Sequence, residues 1–292
     1  MDPYQEPLHF DGESGLGRAL ARLPKDRVSV SQTTTLRWSF EEDVFRYQEA
    51  GIRAIGIWRQ KLSDYGEAKA AELLEETGVK AAHLFWAGGF TGSDGRSFRD
   101  ALVDAREAIE TAVGLGTKVL TVYSGDRGGH IPSHLRRLMR SAFRELAPIA
   151  EEHGVMLAIE PMRPDVASGW TYLTSLDETL EVIHQVSSPA VKLIYDVFHF
   201  GCDPADIERI PELVDRVALV QMADSVELPE FGRSRSLHGP GHIPLPEIVD
   251  AFQESGYQGY YDVELWGPAL EPVGYESVVG HIRNCLDMEP PE

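Results

Sequence analysis

Cysteine is nearly absent from this chain. Cys202 and Cys285 are the only two in 292 residues, which rules out a disulfide framework and fits a reducing compartment. No stretch of 18 apolar residues occurs, so no membrane-spanning helix is expected. The opening "MDPYQEPLHFDGESGLGRAL" has no basic segment followed by an apolar run. No secretory leader is therefore expected, and a cytoplasmic location is. Positive charge is also scarce, with 27 Lys and Arg against 47 Asp and Glu and a formal charge of −20. Such a surface repels phosphate backbones and anionic lipid, so neither nucleic acid nor a membrane is expected as the principal partner. A small neutral or weakly charged ligand fits better.

With 42% hydrophobic residues, the chain can bury one large core. Beyond a polar N-terminal arm, residues 1–25, short β-rich runs alternate with longer amphipathic segments, the pattern of βα units around a parallel sheet. Eight strands are predicted. They are "RVSVSQ" from Arg27, "RAIGIW" from Arg53, "VKAAHLFW" from Val79, "KVLTVYSG" from Lys118, "VMLAIE" ending on Glu160, "VKLIYD" ending on Asp196, "VALVQMAD" containing Gln221, and "YYDVEL" containing Glu264. Helices are predicted over Glu67 to Thr77, Ser97 to Gly116 and Leu135 to His153, with Gly154 as a stop. No linker-like block divides the chain, so residues 26–292 read as one (β/α)₈ TIM barrel, an α/β fold with an outer ring of helices.

In such a barrel, chemistry sits at the C-terminal ends of the strands. Glu160, Asp196, Gln221 and Glu264 each follow a run that favours burial, and an ionised carboxylate there needs a compensating cation. Three carboxylates and an amide form an all-oxygen ligand set for one divalent ion, Mn²⁺ first or Mg²⁺, with Co²⁺ or Zn²⁺ as other candidates. The long connection from Asp224 to Pro244 carries Arg233 and Arg235, which suit a clamp on a substrate hydroxyl, carboxylate or phosphate. His238 and His242 flank its "GPG". Trp86 and Trp266 lead a set of rim aromatics, with Trp38, Trp58 and Tyr123, suited to packing against sugar C–H faces. His83 is a weaker candidate beyond the third strand. Arg163 either orients Glu160 or forms an ion pair.

The motifs "AIEPMRP", "YDVFHFGCDP", "VQMADS", "HGPGHIPLPEIVDAF" and "GYQGYYDVELW" resemble, in order and spacing, those of the sugar phosphate isomerase/epimerase family of xylose isomerase-like TIM barrels. The resemblance covers most of the chain and is strongest from Val155 onward. It implies one divalent metal held by Glu160, Asp196, Gln221 and Glu264, with Glu160 and Glu264 as the acid and base of proton transfer. Gln221 stands where many members have His, as in the hydroxypyruvate isomerase-like branch. His199 resembles the family's substrate-contacting histidine, and His242 lies in the glycine-rich turn that relatives place against the site.

The implied function is isomerisation or epimerisation of a keto-sugar or hydroxy-ketone through an enediolate-like intermediate. A lyase or dehydratase acting on a keto-sugar or oxidised glycoside is the first alternative. A non-catalytic metal-binding barrel subunit is another. Repair nucleases of the same fold resemble it through several zinc ligands, many of them His, and a basic surface; here His does not occupy most of the strand ends and the net charge has the opposite sign. A homo-oligomer is compatible with the apolar, proline-rich loops.

Overall fold

Eight strands pair in sequence order in the computed structural model, all parallel, and the first closes onto the last to form a (β/α)₈ barrel. It describes residues 14–225, 235, 241–267, 270 and 273–287. The strands are β1 Val28–Ser31, β2 Ala54–Trp58, β3 Lys80–Gly88, β4 Val119–Tyr123, β5 Met156–Ile159, β6 Val191–Asp196, β7 Val217–Met222 and β8 Tyr260–Val263. They are buried almost throughout. Burial on both faces explains why they read as continuous apolar runs rather than alternating ones. Among the described residues, no helix is long and apolar enough to cross a membrane.

The helices begin and end where local chemistry demands. Ser97 caps helix Phe98–Gly114, accepting from the Asp100 amide while Asp100 accepts from the Ser97 amide, so two otherwise orphaned donors are satisfied. Helix Pro132–His153 stops at Gly154, whose φ is 67°, a left-handed conformation that suits glycine. One expectation changes in extent. The N-terminal arm, drawn as far as Lys25, contains helix Gly15–Leu20, with Leu16, Ala19 and Leu20 fully buried. Those residues recur at helical spacing with Leu23, and the segment packs against helices Leu245–Glu254 and Tyr275–Asp287. Its six residues are too short to show as a helix until a neighbouring surface covers them.

Alternation along the strands fixes what faces the barrel axis. Ala158, Ile194 and Leu219 belong to a small apolar cluster separate from the main core. Two residues further along the same strands stand Glu160, Asp196 and Gln221, which share that inward face by the two-residue period. In β8 the same step leads from Asp262 to Glu264. Asp262 accepts from Ser29 Oγ at 2.6 Å and lies 3.1 Å from His83 Nε2, while His83 Nδ1 is 3.2 Å from Thr121 Oγ1. This polar belt lies inside the barrel, one step below the mouth. Gly56 makes room for it, since a Cβ there would stand 2.3 Å from His83 Nε2.

A second buried polar knot holds the loop after β1 to the neighbouring helices. Asp43 accepts from Thr35 Oγ1 at 2.6 Å, Gln32 Nε2 at 2.9 Å and Lys61 Nζ at 2.7 Å. Lys61 also donates to the Thr35 carbonyl, and Gln32 Oε1 accepts from the Trp58 amide.

The long connection after β7 is clasped at its base. Asp224, 1% exposed, accepts from the amides of Ser225 at 2.7 Å and Ile243 at 3.4 Å, while the His242 amide donates to the Ser225 carbonyl. Gly241 has φ 64°, and a Cβ there would come within 1.8 Å of Asp224 Oδ2. The close approach of backbone to carboxylate requires glycine at this point.

Candidate active site

Glu160, Asp196, Gln221 and Glu264 converge at the C-terminal mouth of the barrel, all less than 5% exposed. Asp196 and Gln221 are register partners on β6 and β7. Glu264 Oε2 accepts from Gln221 Nε2 at 2.8 Å, and its Oε1 accepts from Thr33 Oγ1 at 3.2 Å. Asp196 accepts from the Phe198 amide at 2.8 Å, which turns the chain into the short helix Val197–Phe200. That turn returns His199 to the mouth, with Nε2 3.4 Å from Asp196 Oδ2. Ligand atoms of Glu160, Asp196 and His199 all lie within 4.8 Å of one another, so His199 joins the acidic cluster directly.

Arg235 is the cation of this cluster. Its guanidinium is 2.7 Å from Asp196 Oδ2 and 3.3 Å from Glu264 Oε2, and its own amide donates to the Trp266 carbonyl. The group expected as a substrate clamp is thus already engaged with two of the four strand-end side chains. Arg235 stands over the rings of Phe198 and Trp266, at 4.8 and 5.6 Å from their centroids. Arg163 also stands over Phe198, at 4.5 Å, and pairs with Asp165 at 2.9 Å. Arg163 thus forms an ion pair, although it is buried rather than at the surface.

Burial pushes the Glu160 carboxyl well above the usual carboxylate range, and the neighbouring charges of Glu264 and Asp196 push it further. Glu264 is raised as well, by burial first, with Arg235 opposing and Asp196 adding to the rise. Burial holds the His199 imidazole down at about 4, against the pull of Asp196 and with Arg235 and Arg163 adding to it. Burial alone would also weaken the positive charge of Arg235, but Asp196, Glu264 and Glu160 more than offset this and hold it charged.

Two oxygens in the cluster lack any hydrogen-bond partner, Glu160 Oε2 and Gln221 Oε1, and both His199 ring nitrogens are likewise unbonded. A buried acceptor left unsatisfied costs about 1–3 kcal/mol. Such a set of convergent lone pairs is what a hard or borderline divalent cation satisfies.

Above the cluster lies a cavity of about 270 Å³. Trp58, Trp86, Trp170 and Trp266 line it, four of the five tryptophans of the chain. Trp38 instead packs edge-on against Tyr275, and Tyr123 meets Trp170 at 6.1 Å without lining the cavity. Trp170 was not among the expected residues. It follows Glu160 by ten positions in the polar segment "SGWTY", and only the folded loop reveals that it returns to the mouth. His83 lies inside the barrel below the site. His242 is exposed, and its ring is not part of the cavity lining. Arg233 and His238 lie outside the described residues.

Fold and site together define a barrel with an acidic, inward-facing cluster at the C-terminal ends of its strands. A family model described as xylose isomerase-like TIM barrel matches residues 45–285, and the chain belongs to that family. It is similar to an inosose isomerase of Bacillus velezensis, 24% identical over 264 residues, with 87% of this chain and 93% of the relative aligned. It is similar also to a putative hydroxypyruvate isomerase of Streptomyces coelicolor, 24% identical over 76% of this chain and 84% of the relative. A mannonate dehydratase of Geobacillus thermodenitrificans is 27% identical over 54% of this chain and 44% of its own length. Among solved structures, protein SMc04130 of Sinorhizobium meliloti superposes with a TM-score of 0.79 at 25% identity, over 90% of this chain and 99% of that one. The IOLI protein, solved with a zinc atom, does so with a TM-score of 0.75 at 20% identity, over 89% and 96%.

Proposed function

We propose that the chain is a divalent-metal-dependent isomerase or epimerase acting on a keto-sugar or hydroxy-ketone by glutamate-mediated proton transfer. The observation that carries this reading is the pair of buried, unpartnered oxygens, Glu160 Oε2 and Gln221 Oε1, set among carboxylates from neighbouring strands. Glu160, Asp196, Gln221 and Glu264 are the assigned ligands. His199 is close enough to serve as a further ligand or to hold a substrate oxygen. An imidazole at the cluster widens the choice of metal from Mn²⁺ and Mg²⁺ toward Co²⁺ and Zn²⁺, and a zinc atom accompanies the similar IOLI fold. When bound, the cation supplies Lewis-acid polarisation of the substrate carbonyl and a template for its adjacent oxygens.

The residues of the chain do the rest. Either Glu160 or Glu264 removes the proton α to the carbonyl, and the other returns one to the neighbouring carbon or to the opposite face. Glu160 suits this work because burial, with the charges of Glu264 and Asp196, raises its proton affinity above that of an ordinary carboxyl, the direction in which enzymes tune a glutamate for proton transfer. Glu264 is steadied by Thr33 and Gln221. Arg235, held charged beside both carboxylates, offers fixed positive charge to the enediolate-like intermediate. The tryptophan lining above the cluster leaves Glu160 and Glu264 less than 5% exposed, which limits access of water to the transfer.

The test is to incubate the Mn²⁺-loaded protein with keto-sugars in D₂O and follow the α-carbon by NMR. Deuterium incorporation with the carbon skeleton and substituents intact supports the reading. Formation of an unsaturated product favours the lyase alternative, to which the similarity with a mannonate dehydratase lends weight. Absence of both, in protein shown to bind the metal, rejects catalysis of this kind.

A further inference from the structure

The cavity above the carboxylates has a polar floor and largely apolar walls. Its polar lining, Thr33, Glu160, His199, Arg235 and Glu264, consists of cluster residues already joined to one another by hydrogen bonds, ion pairs or close approach. The remaining lining is Trp58, Trp86, Trp170 and Trp266 with Leu36, Met162 and Val166. A free ketose carries a hydroxyl on nearly every carbon, and each one buried without a partner costs about 1–3 kcal/mol. The floor can receive two or three adjacent oxygens. Among the described residues, the walls add little hydrogen-bonding capacity for the others and offer flat apolar surface instead.

The aromatic surface also has a direction. Trp86 lines the cavity together with Glu160 and meets Trp170 at 4.7 Å between ring centroids. Trp170 in turn leans on Tyr123 and is 39% exposed at the rim. Leu36, another lining residue, is 46% exposed. These are two of the six large apolar side chains that the described residues leave exposed, and both edge this one cavity. A second cavity of about 270 Å³ shares Thr33, Leu36 and Trp266 with the first and is lined also by Leu270 and Tyr275. Exposed apolar side chains gathered at a cavity mouth mark ligand contact.

We propose that the substrate is a sugar ketone bearing a flat, aromatic substituent, with the sugar oxygens over the carboxylate floor and the aromatic ring on the Trp86–Trp170 ledge. This rests on the keto-sugar reading above and names the part of the substrate that reading leaves open. Trp170 is the specificity-determining residue of this ledge, since its ring lies at the rim, beyond the acidic cluster.

The experiment uses two unreactive probes, phenyl β-D-glucopyranoside and methyl β-D-glucopyranoside, titrated calorimetrically into the Mn²⁺-loaded full chain. Burying a phenyl ring against indoles should make the phenyl probe bind about 30-fold more tightly. Trp170→Ala should reduce that ratio to below about 3-fold with the methyl probe unchanged, and Trp170→Phe should restore most of it. Trp170 is partly exposed, so truncation should leave the fold intact, and circular dichroism checks this. Equal affinity for the two probes overturns the proposal. So does a preference indifferent to Trp170→Ala, or the lack of saturable binding by the phenyl probe. A Trp170-dependent preference in protein that shows no deuterium exchange leaves the aromatic ledge standing and removes only the isomerase reading. Exchange without the preference does the reverse.

Discussion

Two buried polar clusters in this molecule use the same kinds of residue to opposite ends. Around Asp43, both carboxylate oxygens are engaged, Lys61 has two acceptors, and both ends of the Gln32 amide are bonded. At the barrel mouth, Glu160 Oε2, Gln221 Oε1 and both nitrogens of His199 have no partner. The first cluster is complete without a guest and locks the loop after β1 against two helices. The second is incomplete and faces a cavity. Between these two clusters the difference is unfilled hydrogen-bonding capacity beside a cavity, rather than buried charge as such.

The largest effects should come from crossing that division. Glu160→Gln should lower turnover about 10²- to 10⁴-fold while the melting temperature stays unchanged or rises, because a crowded carboxyl beside Glu264 and Asp196 is relieved. Kinetics and calorimetry on one preparation decide it. Lys61→Met should do the opposite, costing about 3–5 kcal/mol of stability by leaving Asp43 buried without its counter-charge. Burial already pushes that carboxyl up to about 6 with Lys61 opposing. Urea denaturation reads this loss, and metal affinity should not change.

A pH series sharpens the comparison further. His199 is held at about 4 in the folded, metal-free chain, against about 6.5 when unfolded. Between those values the unfolded chain binds the extra proton, so stability is complete above pH 6.5 and declines as pH falls to 4. The loss approaches about 3 kcal/mol, and His199→Gln should remove that part of the slope. Smallest, Mn²⁺ at about 100 times its dissociation constant should add about 2.7 kcal/mol to stability by mass action. The increment should be the same in Lys61→Met and absent after EDTA treatment. A metal increment that changes with Lys61→Met would mean the two clusters are coupled.

What could be read from the sequence follows the range of the forces involved. The strands were legible because a parallel barrel buries both faces, giving runs such as "VKLIYD" that end in a conspicuous polar residue. The inward direction of Glu160, Asp196, Gln221 and Glu264 follows from strand periodicity. Contacts that form only on closure were not legible. Arg235 could be named, but its placement between Asp196 and Glu264 depends on a loop meeting two strands. Trp170 lies in a polar stretch without periodicity, and Trp38, chemically identical, faces Tyr275 instead. The Asp43–Lys61 pair joins two helices whose relative placement the sequence does not encode locally. Helix Gly15–Leu20 was read as an arm because so short a segment carries little signal.

The clasp formed by Asp224, Ser225, Gly241 and Ile243 has an evolutionary consequence. By pinching together the two ends of an intervening stretch, it makes β7 and the helix that follows indifferent to how many residues lie between. Loop-closure entropy rises slowly with length, so residues can be added or removed in this stretch on either side of Arg235, provided that its guanidinium still reaches Asp196 and Glu264. Lineages sharing this barrel could diversify their choice of substrate there without redesigning the scaffold.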